Sequence, residues 1–184
     1  MRRKSIAPAA IFMVLMIIIS LPMGVIRSAD DLKDDLESLY YYDKTGISIY
    51  DETENRKDQA RNLLTVTDNY IDSHSELTAL TVPLEKALNS AENSYEESAQ
   101  LSASMKLTEP FLALYNELTE NSYISDEDRR TIGNMQIEML SSRDIIANST
   151  YNEEAKKLNE RLDKFPLSLL DGFHDVQPAY YVER

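Results

Sequence analysis

The chain has 184 residues, with 19 Lys and Arg against 32 Asp and Glu, a formal charge of −13 at pH 7, no cysteine, two histidines and four glycines. The absence of cysteine excludes a disulfide framework, a thiolate metal site and a cysteine nucleophile, and His74 and His174 supply little imidazole for catalysis or metal ligation. The length argues against a large multidomain enzyme, the scarcity of glycine against a phosphate-cradling loop, and the acidic balance against a duplex-wide nucleic-acid surface.

In chain order, Arg2, Arg3 and Lys4 precede residues 6–26, a run with no charged side chain. A helix of about 20 apolar residues spans a hydrocarbon core of about 30 Å, so residues 1–29 read as a basic start and a transmembrane anchor. The rival reading is a cleaved signal peptide. It needs small residues at −1 and −3, and cuts after Ala29, Ser28 or Gly24 would place Arg27, Ile26 or Pro22 at −3. A retained anchor is therefore preferred. Positive charge before the span, with Asp30, Asp31, Asp34 and Asp35 after it, predicts a cytoplasmic N-terminus and a single-pass membrane protein whose bulk is extracytoplasmic.

Residues 30–46 are expected to form a membrane-proximal helical segment. Leu32, Leu36 and Leu39 recur at helical steps, and Tyr40, Tyr41 and Tyr42 either pack or anchor at the interface. Gly46 marks a break. Residues 47–184 then read as a helical bundle. One long amphipathic helix over 47–80 shows Ile49, Ala60, Leu63, Leu64, Thr67, Tyr70, Ile71 and Leu77 on one side, with Asp51, Glu52, Glu54, Arg56, Lys57 and Asp58 on the others. Pro83 predicts a fresh start or a kink, after which Leu84, Ala87, Leu88, Ala91 and Tyr95 carry the stripe to Ser104. Thr108-Glu109-Pro110 and Ser125-Asp126-Glu127-Asp128 read as helix starts, the second as an acidic N-terminus and not a cation loop. A last helix carries Ile132, Met135, Met139, Ile146, Tyr151, Ala155, Leu158 and Leu162 to a stop at Phe165-Pro166. Within it Asn148-Ser149-Thr150 matches a glycosylation acceptor, a short pattern given little weight mid-helix.

No segment alternates as a strand. The stripes predict an all-α fold, an antiparallel up-and-down bundle of four helices, with three long helices as the alternative. The apolar tail, 166–184, is expected to dock on it.

The final residues carry a resemblance. Tyr151-Asn152, Leu158-Asn159, Phe165-Pro166, Leu169-Leu170, Gly172-Phe173 and Pro178-Ala179-Tyr180-Tyr181 are similar to the C-terminal signature of the LemA family, in which paired Tyr-Asn steps one heptad apart precede a Phe-Pro stop and an aromatic end. Ala60 to Tyr70 resembles the family's first-helix segment, and the basic start with one apolar span also matches. The second Tyr-Asn appears as Leu158-Asn159, and the Leu-Ile-Pro typical of the first helix is missing near Leu63-Leu64, which suggests a divergent branch. The resemblance implies a membrane-tethered helical bundle outside the cytoplasm and supplies no catalytic residue.

Asn152 and Asn159, seven apart, share one helix face. Either they hydrogen-bond across the bundle and fix its register, which is preferred, or with Tyr151, Phe165 and Pro166 they form a surface that a partner reads. No Glu-x-x-His pair or Gly-x-Ser-x-Gly is present, so neither a di-metal bundle nor a serine triad is expected, and no cofactor is implied. The expected role is non-enzymatic: an envelope scaffold or adaptor with a protein partner, the alternative being a bundle that takes a small ligand or cation. The oligomeric state is left open.

Overall fold

The computed structural model describes residues 30–42, 46–121, 124–163 and 179–183. Residues 30–41 form α1, followed by α2 (Ile49–Ile71), a 3-10 turn (Ser75–Leu77), α3 (Thr78–Glu92), α4 (Glu97–Met105), α5 (Thr108–Glu120), α6 (Asp126–Ala147) and α7 (Thr150–Leu162). The described residues are thus all-α. The expected span lies outside them, and among them no helix is long and apolar enough to cross a membrane.

Side-chain pairs give the helix directions. Along α2 and α6, Asn55 Nδ2 donates to Ser142 Oγ at 3.1 Å, Arg56 Nη1 to Met139 O at 2.6 Å, and the Tyr70 hydroxyl to Asp128, so the two run antiparallel. α3 returns beside α2, where Arg61 Nε meets Glu92 Oε1 at 2.8 Å. α5 starts where Thr108 meets Arg56 and ends where Thr119 O accepts from Arg129, and so runs parallel to α2. Together α2, α3, α5 and α6 make an up-down-up-down four-helix layer, with α4 as a short link between α3 and α5.

Two apolar clusters fill the interior. One, inside the four-helix layer, includes Leu63, Leu84, Phe111, Leu114, Leu118, Ile132 and Met139. The other joins α1, the start of α2, α4, the end of α6, α7 and the tail through Leu36, Tyr40, Ile49, Leu101, Ile146, Tyr151, Leu158 and Val182. At roughly 1.5–3 kcal/mol per fully buried large apolar side chain, these two clusters dominate the folding energy.

Several expected boundaries differ. α2 ends at Ile71, not near residue 80, because Asp72-Ser73-His74-Ser75-Glu76 offers nothing to bury and the N–H groups of Ser73 and His74 fold back on Tyr70 O. Pro83 neither starts nor ends a helix. It sits exposed inside α3, which begins at Thr78. The 84–104 stripe divides where Asn93 Nδ2 and Ser94 Oγ bond to Asn89 O and Ser90 O, taking carbonyls that a continuing helix would use. Thr108 is the first residue of α5 and not its cap, since its hydroxyl donates to Met105 O. The last stripe divides into α6 and α7. Arg56 and Lys57, expected on wet faces, are buried.

Candidate functional site: an asparagine clamp on α7

The site is built at the break between α6 and α7. Asn148 Nδ2 bonds to Asp144 O at 2.8 Å and closes α6. Ser149 caps α7 by accepting from Asn152 N–H at 3.1 Å, while its hydroxyl donates to Ile146 O at 2.7 Å. This break points the first turn of α7, and with it Tyr151 and Asn152, into the second cluster. The Asn148-Ser149-Thr150 pattern therefore lies at a helix break and not mid-helix.

Asn152 is 6 % exposed. Its Nδ2 donates to Ala147 O at 3.1 Å and to Val182 O at 2.9 Å, and its Oδ1 accepts from Val182 N–H at 2.6 Å. One turn-pair later, Asn159 Nδ2 donates to Ala179 O at 2.7 Å and Oδ1 accepts from Ala179 N–H at 2.8 Å. Each side-chain amide pairs with a tail residue as one strand pairs with the next. Both asparagines therefore bond to the tail backbone, and Asn152 is tied as well to Ala147 O at the end of α6.

The spacing explains the pairing. Seven residues of helix advance about 10.5 Å, while three residues of polyproline II chain advance about 9 Å. A flat strand, with its two-residue repeat, would turn residues three apart to opposite sides, whereas a threefold repeat returns them to the same side. The order 152 to 182 and 159 to 179 makes the tail antiparallel to α7. Tyr180 N–H donates to Ser98 Oγ on α4, and the Val182 side chain is buried in the second cluster.

Tyr151, 2 % exposed, packs edge-on against Tyr40 with ring centroids 5.8 Å apart. Tyr40 also meets Tyr41 and Tyr50 edge-on and donates to Gln100 Oε1 at 3.1 Å. Burial pushes both phenols, Tyr40 and Tyr151, well above the usual tyrosine range. The neighbouring Thr53 hydroxyl, buried beside the ring, pulls Tyr40 the other way, and burial outweighs it. Tyr40 is thus a packing residue, while Tyr42 remains exposed. A groove of about 730 Å³ opens beside the clamp, lined by Leu36, Ser98, Ser102, Tyr151, Leu158 and Tyr180.

The other polar centre lies in the interior. Arg56 is fully buried, and its fork donates to Ser104 O at 3.2 Å, Met139 O at 2.6 Å and Thr108 Oγ1. It has no ion pair among the described residues. Burial, with the repulsion of Arg143 added, lowers its guanidinium to about 10. The stripe itself marks it, because residue 56 falls in helical phase with Ile49, Thr53, Ala60 and Leu63, all buried.

Phe165, Pro166 and His174 lie outside the described residues. His74 sits half-buried after α2 with Nδ1 3.5 Å from Glu76 Oε1. Among the described residues no three of His, Asp and Glu converge to hold a metal ion. No family model, no curated protein and no solved structure matches this chain. Sequence reasoning singled out both asparagines, but Ser98 and Gln100 carry no pattern that would have shown them.

Proposed function

We propose that the chain is a membrane-anchored, extracytoplasmic helical-bundle protein of the LemA type, a non-enzymatic scaffold or adaptor for another envelope protein. The observation that supports this reading is convergence. Tyr151, Asn152, Asn159 and the aromatic end at Ala179-Tyr180-Tyr181, which carry the resemblance, join in one hydrogen-bonded and packed unit.

Charge adds to it. Residues 1–29 hold Arg2, Arg3, Lys4 and Arg27 and no acid, giving +4, which leaves 15 of the 19 bases and all 32 acids in residues 30–184, giving −17. A basic tether holding an acidic body stands that body off from anionic headgroups and favours basic partner surfaces. Membrane fractionation with a reporter after Arg184 tests placement: activity only outside the cytoplasm, in the membrane fraction, is expected, and release into the medium defeats the anchor. Crosslinking in membranes followed by mass spectrometry tests the adaptor role, which fails if no protein is enriched.

The groove beside Leu36 and Leu158 favours a second reading, a small apolar ligand bound between α1, α4 and α7. That role predicts a ligand-dependent rise in melting temperature by mass action.

A further inference from the structure

We propose that the asparagine clamp is an exchangeable site, and that in trans it takes the C-terminal segment of a second copy of this chain. The inference stands on the clamp geometry and does not depend on the membrane tether.

The clamp recognises a short extended peptide by chemistry that carries no memory of chain connection. Four amide-to-peptide bonds read the backbone of Ala179 and Val182, the Ser98 hydroxyl reads Tyr180 N–H, and one pocket holds the Val182 side chain. Among the described residues no ion pair holds the tail, and the chain has no cysteine to tie it by a disulfide. A second copy presents the same groups in the same order, so every contact made in cis is available in trans.

For these contacts, what favours cis is the connection through residues 164–178, which raises the local concentration of the tail at its own clamp. Residues 164–178 join α7 to the tail. Fifteen residues reach up to about 50 Å, yet Asn159, which holds Ala179, lies within one turn of Leu162 at the end of α7. For short flexible linkers in general, effective concentrations lie in the millimolar range and fall only slowly with length. Exchange of an identical element between copies therefore costs little, which is the general basis of domain swapping. Repulsion between acidic bodies opposes the encounter, while the clamp bonds are between neutral groups. Salt should promote exchange and not weaken it.

Two full-length variants in detergent test this. Ala179→Pro with Val182→Pro removes the two tail N–H groups that the asparagines hold and leaves the clamp intact; Asn152→Ala with Asn159→Ala removes the clamp and leaves the tail intact. Each alone should be monomeric, and the mixture should form a one-to-one complex that increases with salt. A mixture of helical, folded variants that stays monomeric at high micromolar concentration overturns the proposal.

Should either variant fail to fold, the absence of native cysteine allows a milder test. Lys156 and Glu183 line one shallow surface groove at the clamp. Chains carrying only Lys156→Cys and chains carrying only Glu183→Cys, mixed and oxidised, should give a disulfide heterodimer. Its yield should rise about fivefold when Asn152→Ala is added to the Glu183→Cys chain, which loses one buried amide pair and so frees its tail from its own clamp. A yield that does not rise with Asn152→Ala overturns the proposal, as does absence of heterodimer.

Discussion

Arg56 holds a charge in the interior that its neighbours do not require. Ser104 O already accepts Leu107 N–H at 3.1 Å, Thr108 already donates to Met105 O, and Met139 O belongs to the α6 ladder. Its three bonds are therefore additional to complete sets, and the burial that lowers its guanidinium to about 10 is a cost. Arg56→Met, which keeps the volume, should unfold within about 1 kcal/mol of wild type or be more stable. Arg56→Ala, which leaves a cavity, should lose about 2–4 kcal/mol. Equal losses for both in urea titrations would show that the bonds outweigh the volume. The two asparagines separate by the same logic of what is left unpaired. Asn152→Ala strands the N–H and C=O of Val182 in a buried place and should cost about 1–3 kcal/mol; Asn159→Ala, at a half-buried position, should cost less. Hydrogen exchange at Val182 N–H should rise most in Asn152→Ala, and the reverse order would mean that the outer pair holds the tail.

Among the elements, the division of α6 from α7 decides whether the clamp exists. In an unbroken helix the five residues from Ile146 to Tyr151 would turn Tyr151 about 140° away from Ile146. Asn148 and Ser149 absorb that phase jump and let both side chains enter one cluster. Replacing both with Ala should raise helix content by circular dichroism and yet lower stability, since a straight helix carries Tyr151, Asn152 and Leu158 out of the core. A straightened variant of undiminished stability would remove the break from the account. That jump was present in the sequence, as was the cap at Ser125, which holds Asp128 N–H at 3.1 Å as its residues suggest. The stripes located the helices for the same reason, because burial demands them whatever the partner. The turn at Asp72–His74 was legible as a polar gap but was hidden by Leu77 falling back in phase. The tail clamp was not legible, because a hydrogen bond between a side-chain amide and a backbone peptide leaves no mark on the sequence of the segment it holds. Asn152 and Asn159 looked like a seam between helices for that reason.

At the scale of the whole molecule, α2 and α6 bind two layers into one body, and Tyr40 and Tyr151 sit deep in the layer that holds the tail. Both phenols are raised by burial, so their stabilising contribution is fully present below the unfolded tyrosine value of about 10 and is lost as pH rises toward their folded values. Arg56 works in the opposite sense. Its folded value is depressed, so between about 10 and the unfolded arginine value the unfolded chain binds the extra proton and stability rises with pH. Two tyrosines against one arginine leave a net fall of up to about 1.4 kcal/mol per pH unit above pH 10. Urea midpoints measured from pH 9 upward should therefore decline beyond pH 10. The decline should steepen in Arg56→Met, which removes the opposing group, and flatten in Tyr40→Phe, which removes one of the two driving it. The same series should release the tail along with the second layer, since Tyr151 and Asn152 are adjacent in α7 and share that cluster's fate. A profile that stays flat through this range in all three proteins would mean that water reaches the phenols without unfolding, and that the second cluster opens independently of the four-helix layer.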